Sequence, residues 1–284
     1  MQGCLYVVAT PIGNLGDITL RALEILRHVD LIAAEDTRHS RRLLDHYGIT
    51  TPLVSLHAYN EQGKAPSLLK ELQAGRNVAL VADAGTPLIS DPGFPLVAAA
   101  READIPVIPI PGPCAAIAAL SVAGLPTHRF AFEGFLPRTQ SARRAHLRRL
   151  KAEPRTMVFY ETSHRLKSCL EDLAAVFPPK RRLVIAKELT KLNERLISTS
   201  VGEAIELFLS NPEWLKGEFV LLVEGANETE SEVLTEQQRH VLELLLEECP
   251  VRTAVSLAAK ITAAPHKTLY RAALSRQKKI ETLS

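Results

Sequence analysis

The chain has 284 residues, enough for two domains and a small appendage, and its 46% hydrophobic and 23% charged residues exclude disorder and fibrous structure. With 34 basic against 32 acidic residues the net charge is only +2, so a surface for nucleic acid has to come from local clustering of charge. Four cysteines, Cys4, Cys114, Cys169 and Cys249, lie far apart without zinc spacing, which argues against a disulfide framework or a metal site and for a reducing cytoplasm.

The first residues lack the cationic stretch of a signal peptide. From there short apolar runs alternate with amphipathic stretches. Strands are expected at residues 5–10, 31–35, 53–57, 78–83 and 107–110, with helices at about 20–28, 38–47, 67–74 and 95–102. Residues 78–82 are apolar on both faces, as strands covered by helices on both sides are, so the first unit reads as α/β with a largely parallel sheet. The stretch between Asp104 and Arg129 carries no Lys, Arg, Asp or Glu and is long enough to cross a bilayer. Its prolines at 106, 109, 111, 113 and 126 remove backbone donors that lipid cannot replace, so it reads as a buried strand, a turn and a buried helix.

A second unit is expected from about Thr127, with strands at 130–135, 156–160, 183–187, 196–199 and 219–224 and helices near 142–151, 166–177 and 204–209. The acidic residues 227–232 read as a linker, followed by tail helices near 236–247, 253–261 and 267–276. The domains expected are 1–120, 121–227 and a basic helical tail, 233–284. Basic residues gather in two places: six between Arg138 and Lys151 with no acid, and seven from Pro250 onward against Glu281 alone. One such run is ordinarily a solvated helix face, but two in a near-neutral chain point to a polyanionic partner.

Glycine-rich nucleotide and hydrolase signatures are absent. Instead, Gly/Pro-rich turns follow predicted strands at Ala9–Asn14, Asp83–Gly93 and Ile110–Ala115. In a parallel sheet the carboxyl ends of the strands share one edge, and ligands bind in the crevice there, so these turns are expected to line one pocket. Gly85, Gly93 and Gly112 allow close backbone approach, which suits an uncharged, adenosine-like ligand held by main-chain groups.

These loops, with the stretches 132–137, 159–165 and 187–191, resemble the tetrapyrrole-methylase fold and, within it, the ribosomal RNA methyltransferase branch. The resemblance runs in order from about residue 4 to 225 and extends to the basic helical end at Lys267–Arg271. It implies two α/β domains with a cofactor cleft between them and a C-terminal helical domain. It also implies methylation, dependent on S-adenosylmethionine, of the 2′-hydroxyl of a cytidine in 16S rRNA, in the decoding region. The partner would be that RNA or the small ribosomal subunit, with no membrane; a homodimer is left open. Cysteine at 114 and Thr162-Ser163 depart from the family's usual residues; both replacements are small, and Cys114 reads as a packing residue.

The resemblance and the strand-end turns together place cofactor contacts at Pro11, along Asp83, Ala84, Gly85, Thr86, Leu88, Ile89 and Ser90, and at Cys114 and Ala115. Further contacts are expected at Tyr160 and Glu161, at Lys187, Glu188 and Thr190, and at Gly225. RNA contacts are expected at Arg143, Arg144, Arg148, Lys267 and Arg271. A ribose hydroxyl is a poor nucleophile until it loses its proton, so a base is expected among the polar residues at strand ends. Glu61 or His57 is the expected base, with Arg38 near a phosphate and Asp36 and Lys187 next in line. Each has a structural alternative: Asp36 as a helix cap, His57 as a loop histidine, and Lys187 with Glu188 as an ion pair. Two other functions compete: a C-methyltransferase of a small tetrapyrrole, and a non-catalytic nucleic-acid-binding protein built on the tail. The basic stretches count against the first, and some 220 residues of pocket-forming structure against the second.

Overall fold

The computed structural model describes residues 2–226, 234 and 236–281. Five strands, β1 (Leu5–Val8), β2 (Leu31–Ala34), β3 (Leu53–Ser55), β4 (Val78–Val81) and β5 (Val107–Ile110), pair in the order β3-β2-β4-β1-β5, every pair parallel. Helices α1 (Leu20–His28), α2 (Thr37–His46), α3 (Glu61–Gln73) and α4 (Phe94–Glu102) connect them. Alternation along β4 divides the packing: Ala79 and Val81 join Leu26, Ile32 and Leu44 on one face, while Val78 and Leu80 join Leu68, Leu72 and Leu96 on the other. All four β4 residues are buried, the physical counterpart of the unbroken apolar run.

The loops at the carboxyl edge are tied together. Thr10 and Gly85 exchange backbone hydrogen bonds of 2.9 and 3.0 Å, joining the turn after β1 to the turn after β4. Helix α3 starts at Glu61, six residues before the expected start, and runs through Pro66. A proline at that depth removes a helical hydrogen bond, but Ala65, Leu68 and Leu72 are buried around it and hold the turn in place.

The second sheet contains β6 (Phe130–Phe135), β7 (Thr156–Thr162), β8 (Arg182–Lys187), β9 (Arg195–Ser200) and β10 (Glu218–Val223) in the order β6-β7-β10-β8-β9. Only β6 and β7 are parallel; the other pairs are antiparallel. The β6–β7 register slips between Phe132 and Gly134, and Gly134 takes φ +63°, a conformation glycine adopts without strain. Helix α5 (Ala115–Val122) lays Ala116, Ala119 and Leu120 on Val158, Val184, Val220 and Leu222 of this sheet. Helices α6 (Gln140–Arg149), α7 (Ser163–Val176) and α8 (Ala204–Leu209) complete it. The expected linker at 227–232 lies outside the described residues, as does the start of the expected tail at 233.

The C-terminal residues form a separate compact unit, with α9 (Glu236–Glu248), α10 (Val251–Thr262) and α11 (His266–Glu281) around Leu242, Val255, Ala258, Leu269 and Ala273. Ala263, at φ +54°, ends α10 in the left-handed conformation, and Pro265 precedes α11. Among the described residues no helix is long and apolar enough to cross a membrane.

Candidate functional site

At the carboxyl edge of the parallel sheet lies a cavity of about 330 Å³. The first sheet contributes Ile12 after β1, Glu35 after β2, and Asp83–Thr86 with Ile89–Asp91 after β4. Cys114 and Ala115 open α5, and the second sheet adds Phe135, Tyr160–Thr162, Ala186, Leu189 and Glu218–Val220.

One wall is aromatic. Phe132 and Phe135 pack edge-on against Tyr160, with ring centroids 5.0 and 5.7 Å apart. The Tyr160 hydroxyl accepts from the Ala116 N–H at 3.1 Å, fixing β7 to the start of α5. Burial first, then the Cys114 thiol, raises the Tyr160 pKa, so this hydroxyl stays protonated. Glu161 is 1% exposed; its Oε1 accepts from the Thr162 N–H at 2.9 Å and faces Arg165 Nε at 3.3 Å. Its Oε2 is buried with no hydrogen-bond partner among the described residues.

The cavity also has an acidic side. Glu35 is raised above the usual carboxylate range by burial and then by Asp83, with His57 partly opposing. Asp91 is pushed up to about 7 by burial, then Glu35, then Asp83. This loop holds unusual backbone conformations, with φ +72° at Leu88 and +70° at Ser90, costly for residues with side chains and kept by surrounding contacts. Glu61 Oε2 accepts from the Gly93 N–H at 2.7 Å, anchoring the loop's far end.

Of the residues expected from sequence to meet the cofactor, Asp83, Ala84, Gly85, Thr86, Ile89, Ser90, Cys114, Ala115, Tyr160 and Glu161 line the cavity. The others do not. Ile12 takes the place in the wall expected of Pro11, and Leu88 turns into the core beside Leu80 and Leu96. Lys187 is buried, and because side chains alternate along β8, Ala186 faces the cavity in its place. Glu188 Oε1 accepts from the Glu218 N–H at 2.9 Å and from Lys191 Nζ at 3.0 Å, so the ion pair is Glu188–Lys191 and not Lys187–Glu188. Thr190, at φ +65°, donates its N–H to Glu194, and its buried Oγ1 has no partner. Strand β10 enters the cavity at Glu218–Val220 and runs away from it, so Gly225, beyond the far end, is not in the wall.

Asp36 and Glu61, two of the expected proton acceptors, are engaged elsewhere. Asp36 caps α2, accepting from the Arg38 N–H at 2.8 Å and from the Arg38 guanidinium, which holds its pKa well below the carboxylate range. Arg38 is thereby bound to a neighbouring carboxylate while remaining exposed. Glu61 serves the Gly93 N–H, and His57 lies outside the wall, its Nδ1 buried without a partner.

Of the expected RNA contacts, Arg143 is withdrawn from the surface, while Arg144 keeps part of its side chain exposed. Arg143 is 3% exposed and pairs with the fully buried Asp172, Nη2 to Oδ2 at 2.6 Å, and also donates to the carbonyls of Arg138 and Ser168. Arg144 Nε reaches Asp172 Oδ1 at 2.6 Å. Basic residues in sequence thus became the cations of a buried carboxylate joining α6 to α7. Arg148 and Lys267 are exposed, and Arg271 lies on α11. Sequence reasoning missed Asp91, Phe135 and Leu189 although all three lie in singled-out stretches; Ala186 carried no signal beyond hydrophobicity.

The profile of the Tetrapyrrole (Corrin/Porphyrin) Methylases matches residues 4–205, and that of the RsmI C-terminal HTH domain matches residues 232–277. Ribosomal RNA small subunit methyltransferase I of Escherichia coli O157:H7 is 53% identical over 276 residues, 97% of this chain and 96% of its own. Its namesake from Pseudomonas aeruginosa is 51% identical over 98% of this chain and 99% of its own. A structure of uroporphyrin-III C-methyltransferase from Thermus thermophilus complexed with S-adenyl homocysteine superposes with a TM-score of 0.54 at 21% identity, covering 78% of this chain and 97% of that one. The chain belongs to the tetrapyrrole methylase family and, within it, to the family of ribosomal RNA small subunit methyltransferase I.

Proposed function

We propose that this member of the tetrapyrrole methylases carries the methyl group of S-adenosylmethionine to the 2′-hydroxyl of a cytidine ribose in 16S rRNA. Membership of the family makes the chain a methyltransferase. The cavity fits the donor. Phe135 and Tyr160 offer an aromatic face, and the acidic wall suits a cation. When bound, S-adenosylmethionine supplies an electrophilic methyl group on a positively charged sulfur. Asp83–Thr86, Cys114–Ala115 and Glu161 would hold it, and the apolar Ile12, Ala186 and Leu189 in the wall would limit water.

The observation that carries the RNA reading is the likeness to relatives named for that substrate, which continues through the helical C-terminal unit and so covers more than the methylase domains. A tetrapyrrole enzyme needs no such unit. Arg148, Lys267 and Arg271 are the proposed RNA contacts, and Arg38 the proposed phosphate contact near the cavity. This reading places the enzyme in the cytoplasm.

The test is transfer of labelled methyl to purified small subunits and to naked 16S rRNA, followed by digestion to nucleosides. Label in a 2′-O-methylated cytidine supports the proposal; label in a base, or transfer only to a tetrapyrrole, overturns it.

A further inference from the structure

We propose that Asp91 accepts the proton of the acceptor hydroxyl, and that Glu61 is the positioning residue that holds Asp91 in place. The inference rests on the ribose-hydroxyl reading above and assigns the proton to an atom. Asp91 lies in the wall of the cavity, which His57, Glu61, Asp36 and Arg38 do not. The loop carrying it is fixed at several points. Glu61 binds the Gly93 N–H at 2.7 Å, and Thr86 Oγ1 donates to the Pro113 carbonyl at 3.1 Å. A side chain placed on Gly134 would come within 3.2 Å of Ser90 Oγ, so the bulge of β6 lies directly against the residue before Asp91. Such placement from independent elements is what a group needs to meet a reacting atom in one geometry.

The groups around Asp91 come from every side of the cavity: Glu35 from the end of β2, Asp83 from the end of β4, and Tyr160 from β7 with Cys114 beside it, while His57 acts on Glu35. Burial and the two carboxylates all raise Asp91, to about 7, so at neutral pH it is partly ionised yet far more basic than an ordinary aspartate. A base is most effective with its pKa near the working pH. Asp36 is held in the opposite direction by Arg38 and is correspondingly weak.

The step balances. The hydroxyl O–H bond breaks as the new O–C bond forms, the proton passes to an Asp91 carboxylate oxygen, and the electron pair of the broken C–S bond stays on sulfur. The negative charge of the carboxylate and the positive charge of the sulfonium are discharged together.

Asp91→Asn is expected to lower single-turnover methylation by on the order of 10²–10⁴-fold, the usual worth of a general base, and to abolish the acid limb of kcat/KM near pH 7. Glu35→Gln removes the neighbouring charge and is expected to move that limb to lower pH. Calorimetry gives a readout without turnover. A cation entering the acidic wall favours ionised Asp91, so S-adenosylmethionine binding near pH 7 should release protons in the wild type and fewer in Asp91→Asn. S-adenosylhomocysteine, whose sulfur is neutral, should release fewer from both. Glu61→Gln, which keeps an acceptor for Gly93, should retain the acid limb; Glu61→Ala should lose rate. Asp91→Asn turning over within about threefold of wild type, or keeping the limb, overturns the assignment. So does equal proton release. Nucleoside analysis of the same samples separates the two claims: a base-methylated product sinks the hydroxyl reading and Asp91's role with it, while ribose methylation at the wild-type rate by Asp91→Asn sinks Asp91 alone.

Discussion

The Glu61 carboxylate accepts a hydrogen bond from the Gly93 backbone N–H at 2.7 Å, so the first turn of α3 holds the end of the loop that carries Asp91. A residue that the sequence offers as a base is thereby a support for another carboxylate. Hydrogen bonds to charged groups contribute about 1.5–3 kcal/mol. Glu61→Ala is expected to lose stability in that range in urea unfolding, and Glu61→Gln clearly less. Equal losses for the two would show that the Gly93 bond is not what Glu61 provides.

The buried Arg143–Asp172 pair predicts that charge reversal in α6 acts through stability at one position and through RNA at another. Removing one partner of a buried pair costs about 3–5 kcal/mol where the other is left uncompensated; Asp172 would keep Arg144, so the loss is expected at or below the low end of that range. Arg143→Ala is expected to lower Tm, and Arg143→Ala with Arg144→Ala to lower it further. Arg148→Glu, at an exposed position, should leave Tm nearly unchanged and weaken RNA binding in a salt-dependent way. Normal stability in Arg143→Ala would contradict the pair's role.

Gly85 holds φ +83° while exchanging hydrogen bonds with Thr10, and a Cβ there would stand 3.3 Å from Ile12 Cγ2. Gly85→Val therefore strains the backbone by about 1–3 kcal/mol and presses on a residue of the cavity wall. It should lower both Tm and S-adenosylmethionine affinity. Unchanged affinity in the folded variant would remove this loop from the binding site.

Asp91 also predicts a pH dependence of stability in the absence of any ligand. Its folded pKa, about 7, lies above the ordinary 3.8, so between those values the folded state holds the proton that the unfolded state has lost. Stability from this group is therefore present at low pH and falls as pH rises from about 4 to 7. Asp91→Asn escapes the loss: it should match the wild type near pH 4 and be more stable at pH 8. A difference that does not vary with pH would mean that Asp91 is not held protonated by its surroundings.

The parallel sheet was legible because β4 and its neighbours are apolar on both faces, and the cavity loops because glycine and proline follow those strands. The start of α3 was not: Pro66 reads as a helix breaker, and only the buried Ala65, Leu68 and Leu72 make the earlier turn worthwhile. The Asp83–Gly93 loop could be picked out whole, but not which of its acids is raised, because that depends on Glu35 and Asp83 arriving from two other strands. Nor could the basic run at 138–151 reveal Asp172, 29 residues beyond Arg143, as the partner that removes Arg143 from the surface. Linear charge shows where cations are and not what they pair with after folding.

The most direct test of the central claim is mass mapping of 16S rRNA from a strain lacking this gene, complemented with the wild-type chain or with Asp91→Asn. The account predicts one cytidine that loses a ribose methyl group in the deletion strain, regains it with the wild type, and does not regain it with a folded Asp91→Asn protein. An unchanged ribose methylation pattern in the deletion strain would contradict it.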